Sequence, residues 1–484
     1  MPPDANPLLA VLREADSNPL IAKMPPKLET LDLARALRNR PISPKYVSEV
    51  DFSQRHKLID VYKSIVVPTG AGIKFVSSLQ HMLYQGLASR NPHLEANRRS
   101  IFENSSFKGA DVSAVPWFPS FAAGAILEAI TGMGKSQILD RYLSLLPQVI
   151  EHGHEPACGW AKLRQLVFLK VHMPSDGSRG GFLESAFLAL DEALGSSYRS
   201  EFKRWTVERK IVVLLHLLSL HRCGLLVIEE AQERNLAHTA FAREFQTFFL
   251  RVLNWGIPTV VLGNPLAFTE LKNFSQDVDR FSEGGWHLMQ PVQDPQDDEW
   301  VKHWIPGLWN PTLLDEPDPP YSPLADSKAE TCLEQFLWSR TAGIPRYLCR
   351  LRREVQKRAL FAREPITTEM IDTVYRTSEA FEQIRPRIEA MVARDWKALQ
   401  RFSDFPVSTF RTLEGKDQDP GEIRPNAGAE MPNRMNKGAS RPKRKFSRKK
   451  DDELFETSSA PAIDKDFQES LINSLTSAAS QAAI

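Results

Sequence analysis

A lysine and a serine that follow a glycine-broken turn are the residues of this chain best suited to bind phosphate. Residues 129–136 read Ala-Ile-Thr-Gly-Met-Gly-Lys-Ser, between a short apolar run and a helical pattern of apolar residues. Glycines let backbone N–H groups approach phosphate oxygens closely, and the helix that follows offers its positive N-terminal end to the same anion. The stretch predicts a nucleotide site at Ala129, Thr131, Gly132, Met133, Gly134, Lys135 and Ser136.

Lys135 and Ser136 have separate tasks in such a loop. The lysine would reach the β- and γ-phosphates of ATP, and the serine hydroxyl would bind Mg2+. The full pattern begins with glycine, whereas this chain has Ala129 there, but the glycines nearest the phosphates are present. The competing interpretation is an ordinary turn that carries the same residues without a ligand.

Two carboxylates follow the apolar run 225–228, at what would be the carboxyl end of a buried strand. Open α/β sheets bind their ligands at that edge. Glu229 would help to hold Mg2+, directly or through water, and Glu230 would orient or deprotonate the attacking water. Aspartate is usual at the first position, so the longer Glu229 puts direct metal contact in doubt. Paired acids of this kind also begin ordinary solvated loops.

Three polar residues farther along are candidates for the same chemistry. Asn264 ends the apolar run 258–263 and could present its amide to the γ-phosphate or the water, although Asn-Pro is also common turn chemistry. Arg280 could reach the nucleotide of a neighbouring subunit as an arginine finger, and a surface arginine is the alternative. Arg346 lies in the first turn of a predicted helix after a Gly-Ile-Pro break, where it could sense the γ-phosphate.

The elements that must position these residues alternate between strands and helices. Apolar runs at 165–171, 224–228, 258–262 and 286–289 have strand length, and helical patterns lie between them. Such an alternation is typical of a mostly parallel sheet with helices on its faces. The sequence therefore predicts an α/β fold of the P-loop NTPase type.

The composition of the chain changes along its length and indicates four parts. A proline-rich arm at 1–50, with a short predicted helix from Glu29 to Leu37, precedes an ATPase core at 51–321. A wholly helical pattern predicts a lid domain at 322–412. The tail at 413–484 has a basic run, an acidic run and too few apolar residues to fold alone. It is either a solvated linker or a peptide that binds DNA or a partner.

Composition also narrows the class of protein. With 484 residues, 42% of them hydrophobic, the chain can bury more than one core, and a net charge of +1 argues neither for nor against nucleic acid. The four cysteines include no Cys-x-x-Cys pair, so neither a zinc site nor a disulfide framework is indicated. No signal peptide or membrane span is evident in the sequence. We expect a cytoplasmic protein.

Together the ordered motifs resemble those of AAA+ ATPases, and more narrowly those of the TnsC/TniB family of transposition regulators in bacterial transposons. The resemblance covers roughly residues 50–400. The narrower likeness is carried by RNP at 90–92, PQVIEH at 147–152, LKV at 169–171, DGS at 176–178, LGSSY at 194–198, LVIEEAQ at 226–232, GIP at 256–258 and GIPR at 343–346.

Membership of that family would imply an AAA+ core with a helical lid that assembles head-to-tail on double-stranded DNA, with ATP and Mg2+ at the subunit interfaces. It would add Gln148 to the nucleotide-binding residues. Such proteins connect a target selector of the TniQ/TnsD type to a DDE transposase of the TnsB/TniA type, and hydrolysis limits where insertion occurs. The tail would then recruit the transposase or a TnsA-type endonuclease in the bacterial cytoplasm.

Contact with DNA would be made through backbone phosphates and would be sensitive to salt. Arg179, Lys203 and Arg204 are the candidates, and ordinary surface solvation is the alternative for each.

Two other functions remain open from the sequence. The chain could be a different AAA+ DNA remodeller, such as an initiator or a helicase loader, and transposase genes beside its own would discriminate between the two. It could also be a scaffold that binds ATP only to polymerise, which Ala129 and Glu229 make conceivable. A Glu230→Gln variant with unchanged turnover would support the scaffold.

Overall fold

The computed structural model describes residues 18–106, 122–231, 242–272, 275–314, 332–402 and 405–407. The predicted tail at 413–484, the first part of the arm and Gln232 lie outside these residues. Seven strands lie within them: β1 (Gly124–Ala129), β2 (Val149–His152), β3 (Leu163–Leu166), β4 (Phe168–His172), β5 (Leu225–Ala231), β6 (Thr259–Gly263) and β7 (Trp286–Met289).

Five of these strands form a parallel sheet in the order β4-β5-β6-β1-β7. Every residue of β1 and of β6 is buried, which is why these strands are continuous apolar runs in the sequence. Helices Gly70–Ser89, Arg179–Leu194, Ala242–Asn254 and Ser275–Ser282 pack against the sheet. The predicted α/β fold, with a parallel sheet flanked by helices, is confirmed.

The described helices differ widely in length. The α-helices are Pro19–Ala22, Thr30–Leu37, Pro44–Ser48, Gly70–Ser89, Glu95–Ser106, Lys135–Leu143, Arg179–Leu194, Tyr198–Glu201, Val207–Leu220, Ala242–Asn254, Thr269–Lys272, Ser275–Ser282, Leu333–Trp338, Pro345–Ala362, Thr368–Thr377, Glu379–Glu382, Arg385–Val392 and Trp396–Leu399. Tighter 3-10 turns occur at Phe52–Ser64, Pro156–Cys158 and Pro265–Phe268, and Glu299–Trp309 is a π-helix. Within the described residues, no helix combines the length and the apolar character needed to cross a membrane.

The prediction of a single strand at 165–171 is wrong, because the structure divides this run at Val167 into β3 and β4. β3 pairs antiparallel with β2, whereas β4 is an edge strand of the parallel sheet. At the division the Val167 N–H donates to the Gln148 carbonyl at 2.8 Å, outside both sets of strand pairs. Apolar content alone does not distinguish two short strands from one long strand.

The described part of the arm packs on the rest of its own chain. The buried Asn18 side chain donates to the Leu87 carbonyl at 2.8 Å, and the Gln80 side chain bonds both backbone groups of Leu28 at 3.1 and 2.9 Å. The predicted short helix is present at Thr30–Leu37, and the Arg141 guanidinium donates to the carbonyl of Ala36, in its last turn, at 3.1 Å. The arm thus contacts helices Gly70–Ser89 and Lys135–Leu143.

Helix Pro345–Ala362, which we name the lid helix, begins at a tight junction. Gly343 has a φ of +63°, in the left-handed region, and its carbonyl accepts a hydrogen bond of 3.1 Å from the Val292 N–H. The Trp338 indole donates to the Val292 carbonyl at 2.7 Å, so both backbone groups of Val292 are bonded to the lid side. The described residues all belong to one compact unit, Met1–Val407, and the boundary at 321/322 stays a prediction.

Replacing Gly343 by alanine is expected to destabilise the fold. The new Cβ would overlap the Val292 carbonyl oxygen, and the positive φ disfavours any side chain. We expect a loss of about 2–4 kcal/mol in the free energy of unfolding, which adds backbone strain to steric overlap. Gly180→Ala is the matched control because an added Cβ meets nothing within 4 Å there. Equal melting temperatures for the two variants would contradict this account of the junction.

Candidate nucleotide-binding site

A cavity of about 830 Å3 opens at the carboxyl ends of β1, β5 and β6. Its floor is the predicted phosphate loop, residues 131–136. One wall carries Glu230 and Asn264, and a second carries the lid-helix residues Arg346, Cys349, Arg350 and Arg353. The third wall is the segment 62–69, which we name the strap. The structure therefore brings most of the predicted site residues to one cavity.

Two glycines give the loop its shape. Gly132 and Gly134 have φ values of +104° and +86°, a region that side chains rarely adopt. Gly134 is also the N-cap of helix Lys135–Leu143, so the N-terminal end of that helix meets the cavity. A Cβ at Gly132 would come within 2.9 Å of the Ile344 side chain. The loop therefore has the backbone form of an anion site, and the lid packs directly on it.

Lys135 is held inside the loop by its own backbone. Its ammonium donates to the Ala129 carbonyl at 2.7 Å. Burial lowers the pKa of Lys135 to about 8; the Glu230 carboxylate opposes this, the Arg346 guanidinium adds to it, and Glu229 also opposes it. An anion in the cavity would favour the charged lysine, so the loop is arranged to bind one.

Glu229 and Glu230 occupy different surroundings although they are neighbours in β5. The pairing of β5 with β6 shifts register between Ile228 and Ala231, and Glu230 has a φ of +61°. This irregularity places Glu230 in the cavity wall. Glu229 is only 2% exposed and does not line the cavity; its Oε2 lies 2.8 Å from the Lys170 ammonium. The two acids are thus positioned for separate tasks.

Asn264 and Arg346 reach the cavity from opposite sides. The Asn264 side-chain oxygen accepts from the Leu266 N–H at 3.0 Å and caps the turn Pro265–Phe268. The Arg346 backbone N–H donates to the Gly132 carbonyl at 3.1 Å, which ties the start of the lid helix to the phosphate loop. Both residues line the cavity.

The remaining predicted residues do not line this cavity. Arg280 is exposed near the end of helix Ser275–Ser282, with its guanidinium 3.4 Å from the Asn254 side-chain oxygen. The Gln148 side chain is exposed, and Ala129 contributes only its carbonyl to Lys135. Any contact of Arg280 or Gln148 with a nucleotide would have to be made from outside this chain's own cavity wall.

The candidate DNA contacts lie on another surface. Lys203 and Arg204 are exposed in the turn after helix Tyr198–Glu201. Arg179 begins helix Arg179–Leu194, and its guanidinium lies 3.8 Å from the Glu208 carboxylate. None of the three lines the cavity.

The strap is the part of the site that sequence analysis missed. Val66 and Asn39 exchange two backbone hydrogen bonds of 3.0 Å, and the Asn39 side chain donates to the Ser64 carbonyl at 2.6 Å. Thr69 ends the strap by accepting from the Gly72 N–H at 2.9 Å as the N-cap of helix Gly70–Ser89. The short β-branched run before a helix start was the available signal. Its distance from the loop in sequence gave no reason to join the two.

The residues present fit Mg2+, which the predicted chemistry requires. The Ser136 hydroxyl lies in the cavity wall at the start of helix Lys135–Leu143. The buried Oε1 of Glu229 has no hydrogen-bond partner among the described residues. An unpartnered buried carboxylate oxygen is suited to a bound water or a cation. The described residues contain no cluster of three or more His, Cys, Asp or Glu side chains that could hold a metal alone.

Comparisons with known proteins give little further guidance. No protein-family model matches the sequence, and no curated protein matches it. A solved structure of the Aeropyrum pernix Orc1 protein in complex with DNA matches with 15% identity and a TM-score of 0.32, over 69% of this chain and 77% of that chain. At that score the likeness supports no conclusion about function.

The pKa of Lys135 predicts how anion binding depends on pH. Without a bound anion, Lys135 loses its charge above about pH 8, because its pKa lies well below the ordinary value of 10.5. Affinity for ATP should therefore fall as the pH rises from 8 to 9.5, approaching tenfold per pH unit. Lys135→Arg is the control. A guanidinium stays charged over this pH range, so the ATP affinity of this variant should not change with pH. Isothermal titration calorimetry that gave equal slopes for both proteins would contradict this.

We expect the strap to lie against the base of a bound nucleotide, so Asn39→Ala should weaken ATP binding but not the binding of phosphates alone. The variant loses the bond to the Ser64 carbonyl, which holds the strap, but leaves the phosphate loop intact. A hydrogen bond of this kind contributes about 1 kcal/mol, so ATP affinity should fall about fivefold while tripolyphosphate affinity stays the same. If both ligands lost affinity equally, the strap would not be a base-binding wall.

Proposed function

We propose that this chain binds and hydrolyses ATP as an AAA+ ATPase that acts on double-stranded DNA. The observation that carries the proposal is one cavity lined by Lys135, Glu230 and Arg346. A cation in a glycine loop, an acid on a strand end and an arginine on a lid are the groups that phosphoryl transfer to water requires. The strap supplies room for a base beside them.

Each residue has a task in the proposed reaction. The loop amides and Lys135 bind the phosphates and balance their charge. Glu230 orients the attacking water and accepts its proton, and Asn264 holds that water or the γ-phosphate. Arg346 reaches the γ-phosphate from the lid and so makes the lid position depend on the nucleotide. Mg2+, held by Ser136 with Glu229 acting through water, would supply charge neutralisation between the phosphates.

The narrower proposal is a regulator of DNA transposition of the TnsC/TniB type. It rests on the resemblance of the sequence motifs to those of that family. In this role the protein oligomerises on target DNA and connects a TniQ/TnsD-type selector to the transposase. The exposed Arg280 suits a finger that enters the site of a neighbouring copy, because it is not used in its own cavity.

Glu230→Gln should separate ATP binding from hydrolysis. Glutamine keeps the size of the side chain but cannot accept a proton, so turnover should fall by about 100-fold or more while ATP affinity stays within about threefold. Glu364→Gln, an exposed position outside the cavity, is the control. Phosphate release measured with and without duplex DNA tests this. Unchanged turnover in Glu230→Gln would support an ATP-binding scaffold instead.

Electron microscopy with duplex DNA tests the assembly on which the proposed role depends. ATP and DNA together should give rings or filaments, and ADP or the Lys135→Ala variant should abolish them, because the γ-phosphate stabilises the contact between copies. A protein that binds ATP but stays monomeric with DNA in every nucleotide would rule out the DNA-bound assembly and leave an ATPase of another kind.

A further inference from the structure

Lys170 joins two parts of the site through two ion pairs. It lies on β4, and its ammonium is 2.5 Å from the Asp140 carboxylate and 2.8 Å from Glu229 Oε2. Asp140 belongs to helix Lys135–Leu143, and Glu229 belongs to β5. The lysine therefore bridges the phosphate-loop helix and the acid-bearing strand.

Asp140 lies on the same face of the phosphate-loop helix as Ser136. Asp140 and Ser136 are four residues apart in one helix, so they lie on the same helix face, one turn apart. The bond from Lys170 to Asp140 therefore holds the Ser136 face towards the strand that carries Glu229. The two groups that fit Mg2+ are fixed relative to each other through Lys170.

The burial of Glu229 makes its partner necessary. Its side chain is 3% exposed, whereas the Lys170 side chain is 23% exposed and the nearby His172 ring, 3.8 Å from the carboxylate, is 61% exposed. A buried carboxylate without a neighbouring cation is costly. Lys170 occupies Oε2, while Oε1 has no hydrogen-bond partner among the described residues.

We infer that Lys170 is a positioning residue for the magnesium site, which holds Glu229 against the Ser136 face of the phosphate-loop helix. This inference rests on the proposed ATPase function. Lys170 touches neither nucleotide nor metal in this account, and it acts by orienting the groups that do. Removing a residue that orients a metal ligand typically lowers the affinity for the metal by about 10- to 100-fold.

The test is the Mg2+ dependence of ATP binding, measured by calorimetry over a MgCl2 titration and in EDTA. Lys170→Met should raise the half-saturating Mg2+ concentration about tenfold or more, yet change ATP affinity in EDTA less than about twofold. Lys170→Arg should restore most of the Mg2+ response. Asp140→Asn removes only the helix side of the bridge, at an exposed position, so it should raise the half-saturating Mg2+ concentration by less. This second variant keeps the inference testable if Lys170→Met does not fold.

Combining Lys170→Met with Glu229→Gln isolates the coupling. The half-saturating Mg2+ concentration of the double variant should be no higher than that of Glu229→Gln alone, because the neutral glutamine does not need the lysine as a partner. Lys170→Met and Asp140→Asn proteins that melt earlier but keep the original Mg2+ response would overturn the inference. A lower half-saturating Mg2+ concentration in Lys170→Met would also overturn it, since the lysine would then be competing with the metal. Absence of any Mg2+-dependent ATP binding in the unaltered chain would instead defeat the proposed function, and the inference with it.

Discussion

Lys135 is an ammonium that burial makes costly to charge, and the rest of the site is arranged around that cost. Its pKa of about 8 shows that the carboxylates nearby only partly balance the loss of water. The Ala129 carbonyl accepts a hydrogen bond from this ammonium at 2.7 Å, and two glycines with positive φ values turn the backbone around the cation. A phosphate anion would balance the charge more fully than these groups do. The loop is therefore suited to an anionic ligand.

The parallel sheet places the other groups within reach of this lysine. Because β1, β5 and β6 are neighbours, their carboxyl ends deliver the loop, Glu230 and Asn264 to one edge. The register shift in β5 then places Glu230 in the cavity wall and leaves Glu229 buried beside Lys170. The lid helix closes the opposite side, where its N-cap residue Ile344 and its second residue Arg346 pack on Gly132. Fold and site are thus consequences of the same strand order.

The sequence predicts the parts of this site that depend on local pattern. The phosphate loop, the strand that ends in two acids and the helix start before Arg346 are each determined by a few adjacent residues. The strap is different, since its place beside the loop depends on the bond between Asn39 and Val66 and on packing of the arm. The division at Val167 and the pairing of Glu229 with Lys170 also depend on tertiary contacts. Such contacts have no signal in the spacing of residues.

The most direct test of the account is an experimental structure with Mg2+ and a non-hydrolysable ATP analogue. We expect a triphosphate wrapped by residues 131–136, with Lys135 moved from the Ala129 carbonyl to the phosphates and the base between the strap and the lid helix. A nucleotide bound elsewhere, with Lys135 still bonded to Ala129, would contradict the claim that this cavity is the catalytic site.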